Sequence, residues 1–215
     1  MRKSLMVWWV LLVAGLAMPS ADGLAGVTLM PWKVGQFVEW QAVDQGAAVG
    51  TMRFLVAAKQ AEGWVVEMRQ TGKGGRGMVL QYLLKGIDQA MALGDSSKVD
   101  FGWIKMKQGD GPVRTLTESQ LAMFGSVAKS SLESLVTKQA KTVDGGSVTV
   151  PAGTFTGTKQ MTVTTSVRGQ ETEMTTWLHG SVPVNGMVQT RSADGSTELK
   201  LSAYGTNGKA ELPIE

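Results

Sequence analysis

From residue 34 onward apolar and polar side chains alternate with a period of two, and about every eight to twelve residues glycine, asparagine or aspartate interrupts the alternation. Successive side chains of a strand point to opposite faces, so this is the pattern of consecutive antiparallel strands. Residues 51–59 and 63–71 read as a hairpin closed by Gln60, Ala61 and Glu62. In its second arm Trp64, Val66 and Met68 share one face while Glu67 and Arg69 take the other, which predicts a half-buried sheet. Met78, Leu80, Tyr82 and Leu84 mark the next strand over 78–85, and residues 99–107, carrying Phe101 and Trp103, continue the meander.

The pattern changes once. Thr115 with Glu118, or Thr117 with Gln120, has the spacing of a capping box. Leu121, Phe124, Ala128, Leu132 and Leu135 follow at helical spacing with serine and lysine opposite, which predicts one amphipathic helix over 118–139. Strands resume at 147–150, 154–167, 171–179, 186–191 and 197–204, rich in threonine and valine. Their turns are marked by Asp144-Gly145-Gly146, Arg168-Gly169-Gln170 and Ala193-Asp194-Gly195. Residues 205–215 read as a loosely held tail. About ten strands with one helix midway predict a mainly β (α+β) fold: one large curved antiparallel sheet, a half-barrel, with the amphipathic helix over its concave face. A sheet this wide must curl and bury one face. A closed barrel is the alternative.

The N-terminus adds a destination. Arg2 and Lys3 precede an apolar run over 5–17 and then Met18, Pro19, Ser20, Ala21, Asp22 and Gly23, the order of a secretory signal peptide. The run falls short of the about 20 apolar residues that cross a bilayer. The expected organisation is a signal peptide over 1–23, cut somewhere between 17 and 25, a single domain over 24–208 and a tail over 209–215. The expected location is the periplasm, without a membrane anchor after cleavage. With no cysteine in the chain, neither a lipidated N-terminal cysteine nor a disulfide is available, and stability rests on the core. Losing Arg2 and Lys3, two of 21 basic residues against 18 acidic ones, lowers the formal charge from +3 to +1, or to +2 where cleavage also removes Asp22. No basic stripe with interleaved aromatics suggests a nucleic-acid partner.

Few residues invite chemistry. His179 is the single histidine, at a predicted strand end, and no G-x-S-x-G elbow exists. With no cysteine and one histidine, no transition-metal site is expected. Gly72-Lys73-Gly74-Gly75-Arg76-Gly77 has the letters of a dinucleotide loop, but a strand rather than a helix is predicted after it, so a hairpin loop is the better reading. Glu171 and Glu173, two apart on one strand, read as a solvated face. Methionines including Met52, Met68, Met78 and Met106 give a soft apolar inventory that suits either an irregular core or a pocket for varied apolar ligands. No catalytic residue and no cofactor is expected.

One segment is more distinctive. Val148-Thr149-Val150-Pro151-Ala152-Gly153-Thr154-Phe155, then Trp177, then Val182-Pro183-Val184-Asn185-Gly186-Met187-Val188, resembles the C-terminal half of exported bacterial proteins of the LolA/LolB-like, lipoprotein-carrier superfamily. The resemblance covers 148–205. It implies a half-barrel that binds acylated or other apolar molecules between sheet and helices. The expected function is therefore a non-enzymatic periplasmic carrier for a lipid, a lipoprotein acyl chain or a similar ligand, with Leu121 and Phe124 on the helix and Trp103 and Trp177 on the sheet as binding residues. The alternatives are an envelope structural or interaction domain with a protein partner, and a carboxylate-dependent hydrolase, for which no acidic cluster is present.

Overall fold

The computed structural model describes residues 27–75, 77–93, 96–123, 125, 142–167 and 170–214. Among the described residues there are eleven strands: β1 (Phe37–Asp44), β2 (Ala47–Gln60), β3 (Gly63–Gly72), β4 (Gly77–Lys85), β5 (Asp100–Gln108), β6 (Arg114–Thr115), β7 (Thr142–Val150), β8 (Gly153–Val167), β9 (Gln170–Leu178), β10 (Met187–Ser192) and β11 (Thr197–Gly205). They form one antiparallel sheet in the order β6-β5-β4-β3-β2-β1-β11-β10-β9-β8-β7. The chain meanders from the centre to one edge, restarts at the far edge and returns to pair β11 with β1. The sheet ends on β6 and β7, so it is open, and the closed barrel is not the fold.

The sheet also curls. Ala152, in the turn between β7 and β8, donates its N–H to the Leu201 carbonyl of β11 at 3.0 Å. Two strands intervene between β8 and β11, and in a flat sheet the span would be about 14 Å. The Phe155 and Tyr204 rings, 6.0 Å apart, bridge the same gap. One face is thereby turned inward, and it carries the main core: Val38 and Trp40 of β1, Phe54 of β2, Val66 of β3, Tyr82 and Leu84 of β4, Ile104 of β5, Leu199 and Leu201 of β11.

Several segments pack on that inner face. Trp32, ahead of β1, sits edge-on to Phe54 and Trp64 and donates its indole N–H to the Val184 carbonyl at 2.9 Å. Val182 and Val184 enter from the loop between β9 and β10. A short helix, α1 (Ile87–Leu93), inserts between β4 and β5 and places Ile87 and Ala90 in the core, an element the period-two pattern does not predict. Of the two capping spacings after β6, the second forms: Thr117 N–H donates to Gln120 Oε1 at 3.0 Å, and Gln120 N–H donates to Thr117 Oγ1 at 3.5 Å. The helix is seen over 118–123 and at 125; Phe124 and the rest of the expected 118–139 helix lie outside the described residues, as does the expected signal peptide.

Three expectations are corrected. Asp144-Gly145-Gly146 is not a turn but a bulged stretch inside β7, and the turn falls at Pro151 and Ala152, where Val150 faces Gly153. The β3 strand is not half-buried, because its second face is covered: Val65 is fully buried and Glu67 is 3% exposed. The cover is the C-terminal segment, which is firmly tied rather than loose. Glu211 and Leu212 donate their N–H groups to the two Glu67 carboxylate oxygens at 2.8 and 2.9 Å, and Gln81 Nε2 donates to the Leu212 carbonyl at 3.0 Å. Glu67 thus supplies acceptors for a crossing backbone, which alternation alone cannot distinguish from a solvent-facing carboxylate.

Candidate functional site: a methionine-lined patch on the inner face

Register gathers four methionines on the inner face of β2 to β5. Gln70 of β3 faces Met52 on one side and Met78 on the other. One step along the same face, Phe54, Met68, Leu80 and Met106 lie in a cross-strand row. Diagonal neighbours in a sheet lie about 7–8 Å apart, within reach of long side chains, so Met52, Met68, Met78 and Met106 share one patch. Met52 and Met68 are buried floor, 1% and 2% exposed. Met78 and Met106 are half-buried rim.

The rim continues past β6. Leu116 donates its N–H to the Ile104 carbonyl at 2.9 Å, and Leu121, in the first turn of the capped helix, packs half-buried against the same core. Methionine has an unbranched, polarizable side chain that adapts to irregular apolar shapes, so such a rim can accommodate a flexible hydrocarbon. Inside this patch one polar group stands apart: Gln70 is 9% exposed, and its Nε2 is buried with no acceptor among the described residues.

Of the four residues expected to bind ligand, the three that are described are not brought together. Leu121 lies at the rim. Trp103 lies on the opposite face, packed with Leu55, Val65 and Leu83, with the Lys105 ammonium 5.1 Å from its ring. The cause is a register shift in β5: Tyr82 faces Ile104, but Leu84 faces Phe101. Phe101 and Ile104, three apart, both point inward, and a Cβ added to Gly102 would lie 2.7 Å from Leu83 Cδ2 on the outer side. A bulge of this kind reverses the parity on which the face assignment depends. Trp177 is half-buried in β9, facing Gln160 and Gln189, and its Cδ1 would stand 2.9 Å from a Cβ at Gly145. It packs across β8 toward Gly145, two strands in from the β7 edge, whereas Leu121 follows β6 at the other edge. Phe124 lies outside the described residues.

His179 and Asp88 hold local structure. His179 Nδ1 accepts the Ser181 N–H at 3.2 Å and contacts its hydroxyl at 2.7 Å, closing a turn, while the ring stacks edge-on to Phe155. Asp88 of α1 accepts from Trp64 Nε1 at 2.8 Å and from Lys59 at 2.5 Å, pinning the helix to the β2–β3 hairpin. Partial burial pushes its carboxyl up, but the hydrogen bonds from Lys59 and Trp64, with the Lys59 charge, outweigh this and leave it lowered. Among the described residues no cluster of three His, Cys, Asp or Glu side chains could hold a metal, and no helix is long and apolar enough to cross a membrane.

No family model matches the sequence, and no curated protein matches it. Solved structures do resemble the fold. An exported-protein structure with a YmcC-like fold from Bacteroides fragilis aligns over 83% of this chain and 99% of its own, with TM-score 0.40 and 11% identity. A hypothetical protein from Chlamydia trachomatis aligns over 85% and 92%, with TM-score 0.46 and 9% identity. The MucA/MucB complex of Pseudomonas aeruginosa aligns over 82% of this chain and 53% of that one, with TM-score 0.35 and 14% identity.

Proposed function

We propose that this protein is a non-enzymatic periplasmic binding protein that holds a lipid, a lipoprotein acyl chain or a similar apolar ligand against the inner face of its sheet. The observation that carries the reading is the methionine patch: among the described residues no second sheet closes the inner face of the curled sheet, and half-buried Met78, Met106, Leu116 and Leu121 edge that face at β4 to β6 and just beyond. Burial of hydrocarbon there would be driven by about 25 cal/mol per Å² of apolar surface removed from water. Export rests on the order of charged, apolar and small residues over 1–23.

The test is native mass spectrometry and lipid extraction of protein isolated from the periplasm. The intact mass should correspond to cleavage between residues 17 and 25, and an apolar molecule should co-purify. A charge placed on the rim, Met106→Glu, should abolish co-purification, while Trp103→Ala, on the other face, should leave it unchanged. Protein that carries no lipid and takes up none when offered acyl chains would overturn the reading.

A further inference from the structure

Gln70 is the one feature of the patch that an apolar core does not explain. It sits between Met52 and Met78 and one step from Met68, on a face where every neighbouring strand places hydrocarbon or thioether. Its carboxamide nitrogen is buried and has no acceptor among the described residues. A buried donor left without an acceptor costs about 1–3 kcal/mol, and a leucine or methionine of similar length would avoid that cost. The amide is thus a buried donor that an acceptor oxygen entering the patch would satisfy.

Resting on the reading of this face as a site for apolar ligands, we propose that Gln70 is its polar anchor. The Gln70 Nε2–H group donates to the carbonyl or carboxylate oxygen at the head of an acyl chain, and the hydrocarbon lies over Met68, Met78 and Met106. The ligand class is narrowed from any apolar molecule to one with an acyl oxygen at the end of a chain. Gln70→Leu keeps the volume and removes the donor.

Displacement of a fluorescent apolar probe from the purified protein is measured with palmitic acid, methyl palmitate and hexadecane. Wild-type protein should bind the acid or the ester more tightly than the alkane, and Gln70→Leu should weaken acyl binding about tenfold while leaving hexadecane unchanged. Preference for the acid assigns a carboxylate head, and preference for the ester a neutral carbonyl. The melting temperature of ligand-free Gln70→Leu should equal or exceed that of wild type, because an unpaired donor is removed; a lower value would show a protein acceptor and overturn the anchor. Equal binding of all three probes by both proteins would also overturn it while leaving the binding function intact. Binding of none by the wild type would instead overturn the binding function itself.

Discussion

Single polar side chains in this protein are placed for backbone groups more than for one another. Asp194, in the turn between β10 and β11, accepts from the Ser192 hydroxyl at 2.6 Å and from the Ser196 N–H and hydroxyl at 3.0 and 2.8 Å. The Ser192 hydroxyl first, and then the Ser196 groups, hold the carboxyl down to about 2. A carboxyl lowered in the folded state binds its proton less readily than in the unfolded chain, where it titrates near about 3.9. Its stabilising contribution is therefore full above that value and is lost as pH falls through about 2. Two-dimensional NMR should place the Asp194 midpoint near the lower figure, and Asp194→Ala should flatten the acid limb of the stability curve between the two. Sequence reading recognised the turn from Ala193-Asp194-Gly195, because aspartate followed by glycine has a local reason to be there.

Elements were legible where the cause was local, and misread where a neighbour intervened. The hairpin of β2 and β3 and the strands from β8 to β11 follow from alternation, and spacing within one segment narrows the cap to two candidates, of which Thr117–Gln120 forms. The face of Trp103 does not, because it depends on how β5 bulges against β4. Helix α1 was missed because seven residues supply too few turns to show a helical period, although Ile87 and Ala90 at a spacing of three are its trace. The segments flanking the sheet meet at one backbone crossing beyond the ends of β1 and β11. Gly35 adopts φ +88° there, a Cβ on it would lie 2.5 Å from the Thr206 carbonyl oxygen, and its own carbonyl accepts the Gly208 N–H at 2.8 Å. Gly35→Ala combines a left-handed backbone with a backbone clash, and chemical denaturation should show a loss of about 2 kcal/mol or more. A neutral substitution would mean the two segments separate readily.

At the scale of the whole molecule, that crossing divides the two flanking segments between the faces of the sheet. Residues 27–32 cover part of the inner face, where Trp32 bonds Val184, and residues 209–212 cross the outer face, where Leu212 is buried. Glu67 is the anchor of the outer crossing. In Glu67→Gln an NH₂ group replaces one acceptor facing a backbone N–H, and the expected cost is about 2 kcal/mol, from the loss of a charge-assisted hydrogen bond. Hydrogen exchange should report it locally, as faster exchange of the Glu211 and Leu212 amides with little change in β8 and β9. Uniform acceleration through the sheet would show instead that the C-terminal segment and the sheet unfold as one unit.

The sequence by itself determined the mainly β class and most strand positions, and it narrowed the cap to two spacings and supplied the methionines without deciding their use, because each rests on side-chain periodicity or on spacing within a few residues. Only the tertiary structure decided which methionines share a face, that Trp103 does not face them, that Gln70 is buried among them without an acceptor among the described residues, and that Glu67 binds the chain's own C-terminal backbone. Those facts depend on register between strands distant in sequence, and a single bulge reverses them. Alternation tells which residues of one strand share a side; only strand pairing tells which strands' sides coincide.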